Sequence, residues 1–201
     1  GLLDLFWPRV CPICEDECPP VRWVHPRCLD ALPRARTHPA HTVIACFEIC
    51  EWFAAKGVEK LHAMNIGGGS QQPFGYVKMT PALHGGQVHG DDDGRFTTVP
   101  GGFLFKVDGL GIYVAGDTEN TPEMKALEEI DIAFLPMNLP YTMTVEQAAD
   151  AVLDFAPAEV YPYHYRGKPD VSDVNRFAQL VNEGNPEIKV VQLDWYPKAP
   201  Y

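Results

Sequence analysis

The chain has 201 residues, room for one full domain or for one domain and a small module, and its 46% hydrophobic and 21% charged residues supply a core and exclude a disordered polymer. With 16 Lys and Arg against 27 Asp and Glu the formal net charge is −11, which argues against a nucleic-acid partner because phosphate backbones need a basic face. No apolar run approaches the roughly 20 residues of a membrane span, and the start Gly1-Leu2-Leu3-Asp4 is too short and acidic for a signal peptide, so no membrane association is expected.

Two regions differ in character. Residues 1–36 are rich in Cys and Pro and show no sustained period, whereas residues 41–201 alternate strand-like and helix-like segments; Arg34-Ala35-Arg36-Thr37-His38-Pro39-Ala40 reads as a linker between a module at 1–36 and a domain at 37–201. In the first region Cys11-x-x-Cys14 and His25-x-x-Cys28 form two knuckles. Two such pairs make a tetrahedral thiolate and imidazole set that suits a structural Zn²⁺, with Cys18 as an alternative ligand to His25. Disulfides or free thiols are the competing readings. Metal-ligating spacing favours a reducing compartment, hence a cytoplasmic location.

The second region reads in order as follows. Residues 42–46 form a short β-branched strand, and 47–56 a helix closed by Gly57. Gly67-Gly68-Gly69 makes a turn, and residues 76–83 a strand that ends at His84. A polar loop covers 85–98. Strands at 103–107 and 112–115 flank Asp108-Gly109, a strong hairpin signal. A buried strand follows at 130–135. An amphipathic helix covers 145–156, with a Thr144/Gln147 capping box and an apolar stripe of Val145, Ala148, Ala149, Val152 and Phe155. A strand at 160–163 ends at His164; a helix at 171–182 and a strand at 188–193 close the chain. A hairpin followed by alternating strands and helices predicts an α/β (α+β) fold with a mixed sheet and helices on its outer faces.

His84, Asp117 and His164 each follow a predicted strand, and ligands in layered α/β folds gather at the carboxyl ends of strands. Two imidazoles and a carboxylate suit a divalent metal. A hydrogen-bonded structural role for each His, and a plain turn at Gly116-Asp117-Thr118, are the competing readings. His62 is expected to be structural, His89 with Asp91, Asp92 and Asp93 to lie in a solvated loop, and Cys46 and Cys50 to pack in the core. Asn138, Tyr141 and Thr142 follow a strand and can line a cleft; Arg166 can bind an anionic substrate.

The stretches Met79-Thr80-Pro81-Ala82-Leu83-His84-Gly85, Tyr113-Val114-Ala115-Gly116-Asp117-Thr118 and Val160-Tyr161-Pro162-Tyr163-His164-Tyr165, in this order, resemble the metallo-β-lactamase superfamily. Val58-Glu59-Lys60-Leu61-His62-Ala63-Met64-Asn65-Ile66-Gly67-Gly68 and Leu139-Pro140-Tyr141-Thr142-Met143-Thr144 resemble its branch of metal-dependent hydrolases related to L-ascorbate-6-phosphate lactonase. The resemblance implies a four-layer αββα sandwich with a metal cleft at one edge and one or two divalent ions, Zn²⁺ or Mn²⁺. In it His84 would serve one metal, Asp117 would bridge two, and His164 would serve the second. A metal-activated water would then hydrolyse an ester, lactone, amide or phosphoester of a small molecule. The family's first motif, His-x-His-x-Asp-His, does not occur in the chain. The nearest text, Thr37-His38-Pro39-Ala40-His41, precedes the strand at 42–46, and its two His are expected at the wrong end of that strand, about 17 Å away at ~3.3 Å per residue. The sandwich is therefore expected to be incomplete at its N-terminal side, with a sheet edge to be covered. The N-terminal Leu3-Asp4-Leu5-Phe6-Trp7-Pro8-Arg9-Val10-Cys11-Pro12-Ile13-Cys14 with Cys28-Leu29-Asp30-Ala31-Leu32-Pro33 resembles the zinc ribbon of competence-type phosphoribosyltransferase-like proteins, although His25 departs from the all-Cys pattern and no phosphoribosyl-binding loop follows. A metal-dependent hydrolase is one functional expectation; a non-catalytic zinc-binding relic or interaction module is the other. A homo-oligomer is compatible with either.

Overall fold

The computed structural model describes residues 42–84, 97–167, 170–193 and 195–196; for His84 and residues 97–100 the backbone alone is described. Cys11, Cys14, Cys18, His25, Cys28, His38, His41 and His89 lie outside the described residues. The described residues fall into two compact units, one with residues 42–65 and one within residues 66–193.

In the first unit β1 (Val43–Cys46) runs directly into α1 (Phe47–Ala54) and returns as β2 (Leu61–Met64). The helix ends because Gly57 adopts φ +85°, and the Val58 N–H then bonds back to the Phe53 carbonyl at 3.2 Å. Strand β2 pairs parallel with β1, from Val43 beside Leu61 to Cys46 beside Met64. The segment Leu-His-Ala-Met has no β-branched residue to announce a strand. Its partner strand makes it one, and His62 is a paired residue opposite Ile44. Cys46 and Cys50 are buried, as expected, and the Cys50 thiol donates to the Ala45 carbonyl at 3.7 Å.

The second unit is built on a seven-stranded sheet in simple sequence order: β3 (Gly69–Gln72), β4 (Gly75–His84), β5 (Thr97–Val107), β6 (Leu110–Val114), β7 (Ile132–Pro136), β8 (Glu159–Tyr163) and β9 (Lys189–Val190). Pairing is antiparallel from β3 to β6 and parallel from β6 to β9. The β5–β6 hairpin turns at Asp108 and Gly109, with φ +51° and +83°, the two positive values a two-residue turn needs to match strand twist. Strand β3 begins at Gly69, the last residue of the predicted glycine turn, and has no counterpart among the predicted strands. Its polar Gly-Ser-Gln-Gln is an edge strand, and the Tyr76 ring lies so close over Gly69 that a Cβ there would meet the phenol oxygen at 1.7 Å.

Helices α2 (Pro122–Lys125), α3 (Val145–Phe155) and α4 (Val174–Gly184) share one core with the sheet. The capping box of α3 forms as predicted: Thr144 Oγ1 accepts from the Gln147 N–H at 3.1 Å and Gln147 Oε1 accepts from the Thr144 N–H at 2.9 Å. Ala148, Ala149, Val152 and Phe155 are buried. Helix α4 starts three residues later than predicted because Asp173 Oδ1 caps it, accepting from the Asn175 and Arg176 N–H groups at 3.0 Å each. Strand alternation sends Tyr113, Ala133 and Val160 into this core and their neighbours to the other face, where Phe134 stacks on Tyr161 at 5.0 Å and Phe103 on Phe105 at 5.9 Å. Burying each large apolar side chain in the core contributes about 1.5–3 kcal/mol. Among the described residues no helix is long and apolar enough to cross a membrane.

Topology fixes the position of the site. Strands β6, β7 and β8 run the same way, and β4, two antiparallel steps from β6, runs that way too. The carboxyl ends of all four therefore open at one edge of the sheet.

Candidate metal centre

At the end of β6 the chain turns at Gly116, with φ +69°. No other residue fits there, since a Cβ would lie 1.8 Å from the Gly101 carbonyl oxygen. The turn presents Asp117. The next residue, Thr118, is fully buried, and its Oγ1 accepts from the Leu83 N–H at 2.9 Å while donating to the Glu119 carbonyl at 3.0 Å. The Glu119 N–H returns to the Leu83 carbonyl at 2.9 Å. The Asp117 loop is thus laced to the last turn of β4, one residue before His84, whose backbone pairs with Thr97. The side chain of His84 lies outside the described residues.

At the end of β8 His164 adopts φ +44°, a left-handed conformation that His visits more readily than most residues but that still costs on the order of 1–3 kcal/mol. That backbone carries the ring to Asp117: Nδ1 and Oδ1 stand 2.7 Å apart, across 47 residues of sequence. Both side chains are open to solvent, 39% and 46% exposed, so the pair is accessible to a ligand and worth little as a fold-stabilising ion pair.

The other ring nitrogen is held from β7. Nε2 lies 3.3 Å from the amide nitrogen of Asn138, a residue only 3% exposed. The orientation of that amide is set by Thr142. The Asn138 N–H donates to Thr142 Oγ1 at 2.9 Å, and the Thr142 hydroxyl donates to Asn138 Oδ1 at 2.8 Å. The Tyr141 and Thr142 N–H groups close the turn on the Asn138 carbonyl at 2.9 and 3.1 Å. The result is one continuous chain of hydrogen bonds, Thr142 to Asn138 to His164 to Asp117.

Of the residues singled out from sequence, Asp117 and His164 meet directly, and Asn138 and Thr142 join them as buried partners. Tyr141 is half-buried in the same turn. Arg166 is exposed two residues past His164, in a single antiparallel bridge with Val171. Gly116 and Thr118 belong to the word Gly116-Asp117-Thr118, whose turn reading holds for Gly116, while the buried bracing role of Thr118 has no signal in the sequence beyond that word. Among the described residues no three His, Cys, Asp or Glu side chains converge. A cavity of about 280 Å³ lies elsewhere in this unit, with Thr80, Tyr113, Met124 and Leu127 in its wall and none of the candidate ligands.

The donors suit a divalent cation. The 2.7 Å contact of Nδ1 with Asp117 Oδ1 is a hydrogen-bonding distance, which leaves Nε2 and the remaining carboxylate oxygen as the donors for a cation, and an imidazole nitrogen with a carboxylate oxygen is a borderline-to-hard set.

The family model of the β-lactamase superfamily domain matches residues 24–165. The chain is 42% identical over 133 residues to a UPF0173 metal-dependent hydrolase of Alkaliphilus metalliredigens, covering 65% of this chain and 59% of that protein. With its counterpart in Lysinibacillus sphaericus it is 41% identical over 155 residues, covering 75% and 67%. The chain thus spans about three-fifths to two-thirds of the length of these relatives. Among solved structures, Igni18, a metallo hydrolase of the archaeon Ignicoccus hospitalis, superposes with a TM-score of 0.63 at 30% identity, covering 83% of this chain and 69% of that one.

Proposed function

The chain belongs to the β-lactamase superfamily, and from that premise we propose that it is, or derives its body from, a metal-dependent hydrolase acting on a small ester, lactone, amide or phosphoester. The single observation that carries this reading is the meeting of Asp117 and His164 at the shared edge of β6 and β8, each aimed by a strained or glycine turn. In this reading Asp117, His164 and His84 hold the ion, Zn²⁺ or Mn²⁺. A divalent ion supplies Lewis-acid chemistry there, lowering the pKa of water and polarising the bond to be cleaved. The chain's own residues bind and orient. The Asp117 carboxylate contributes charge, Asn138 and Thr142 fix the His164 ring, and Tyr141 and Arg166 border the opening where a substrate, anionic in the lactonase-like case, would lie.

The missing His-x-His-x-Asp-His string favours a second reading, a hydrolase-like body used for binding. The set Cys11, Cys14, His25 and Cys28 adds a structural zinc in either case. Metal content separates them: purified without added metal, the chain should carry about one Zn²⁺ as a binding module and two or more as a hydrolase. Hydrolysis of generic esters, lactones and phosphodiesters by the chain, and its loss in Asp117→Ala, is the expected result; equal rates in both proteins would remove the enzyme reading.

A further inference from the structure

A neutral imidazole carries one N–H donor and one acceptor nitrogen. Nδ1 of His164 faces a carboxylate oxygen, which accepts, so the proton belongs on Nδ1. Nε2 faces the side-chain amide of Asn138, and an amide has both a donating and an accepting end. Thr142 decides which end faces the ring. Its hydroxyl already accepts from the Asn138 N–H, and its single proton goes to Oδ1. The NH₂ group is thereby left toward Nε2. Turning the amide over would strand the Thr142 proton and would demand a proton on both ring nitrogens. Asn138 and Thr142 are 3% and 6% exposed, so solvent does not substitute for either partner.

We propose that Asn138 is a positioning residue for His164: its buried amide, fixed by Thr142, keeps the ring proton on Nδ1 against Asp117 and leaves Nε2 as the nitrogen with the lone pair. A carboxylate on one nitrogen and a lone pair on the other is the state in which an imidazole is a strong ligand. The long 3.3 Å amide contact is the one an incoming cation would displace. That consequence rests on the metal-centre reading given above; the protonation pattern itself does not.

The test is the ring-nitrogen pattern of His164 in the full ¹⁵N-labelled, metal-free chain, read from long-range ¹H–¹⁵N spectra at a pH where the ring is neutral and assigned with His164→Gln. The wild-type ring should carry its proton on Nδ1. Asn138→Asp, the same shape without the donor, should place a proton on Nε2. Thr142→Val should free the amide and give a mixture, and Thr142→Ser should restore the wild-type pattern. A wild-type proton on Nε2, or an unchanged pattern in Asn138→Asp, overturns the proposal. Should Asn138→Asp fail to fold, identical patterns in Thr142→Val and Thr142→Ser overturn it instead. A Zn²⁺ titration of the wild-type chain beside Asp117→Ala addresses the metal centre separately: equal Zn²⁺ binding by both proteins with the Nδ1 pattern intact would remove that reading and leave this one standing.

Discussion

The two ends of β8 carry the same kind of contact and use it differently. At the start of the strand Glu159 meets Lys189 at 2.7 Å and accepts the Tyr161 hydroxyl at 2.7 Å. At its end His164 meets Asp117 at the same 2.7 Å. The first cluster sits on regular strand backbone between neighbouring strands and has the long side chains and solvent exposure of a surface ion pair. The second requires a left-handed His, a glycine turn pressed against another backbone, and two buried polar residues with every hydrogen-bonding group assigned. Distance alone does not distinguish a structural pair from a site. Backbone strain and buried orienting groups do, because a fold carries such costs only where surrounding structure holds them in place.

The largest expected contrast is in hydrolysis. Asp117→Ala should lower it by more than the roughly 10–100-fold that altering an outer partner of a metal ligand costs, while Glu159→Gln leaves it unchanged. Steady-state rates on one substrate check both, and equal losses would erase the distinction between the two ends. Next comes stability. Thr142→Val leaves the Asn138 N–H and Oδ1 unpaired in a buried turn and should destabilise the fold by about 1–3 kcal/mol, seen as a lower urea midpoint at constant slope. Glu159→Gln should cost within about 1 kcal/mol in the same measurement.

The smallest effect is a pH dependence in which the structural end takes part. Burial and the neighbouring Glu159 carboxylate push the Tyr161 hydroxyl from 10.0 to about 12. Its folded-state pKa is raised, so the stability it contributes is complete below pH 10 and is lost as pH rises from about 10 toward 12. Burial pushes the Tyr113 hydroxyl up as well, in the same direction. Tyr161→Phe should flatten its part of the alkaline decline in thermal melts. On the acid side Lys189 holds the Glu159 carboxyl below its ordinary 4.5, so that contribution is present above this value and fades as pH falls.

Much of the fold was legible in the sequence wherever the signal was local. Asp108-Gly109 announced the β5–β6 hairpin because two positive φ values are needed there, and Thr144 with Gln147 announced the start of α3. The strands ending near His84, Asp117 and His164 were also readable, because β-branched and apolar runs stop where the polar words begin. What stayed hidden was either featureless in composition or dependent on a distant partner. Strands β2 and β3 look like loop until they pair, and the true start of α4 depends on Asp173 taking the capping position ahead of the helical period. At the site, Asn138 and Thr142 read as residues that could line a cleft; only the turn after β7 showed them facing each other and the His164 ring.

The sequence by itself determined the β5–β6 hairpin turn, the capped start of α3 and that an imidazole and a carboxylate would stand at strand ends, because such features follow from side-chain period, capping and turn chemistry within a few residues; the fold family was legible only through the resemblance of its motif words. Tertiary structure alone decided that Asp117 and His164 touch, and that Thr142 acts on His164 through Asn138. Those contacts join the ends of three strands whose register is set by pairing across the sheet, and no local rule specifies which residues of separate strands arrive at the same edge in contact.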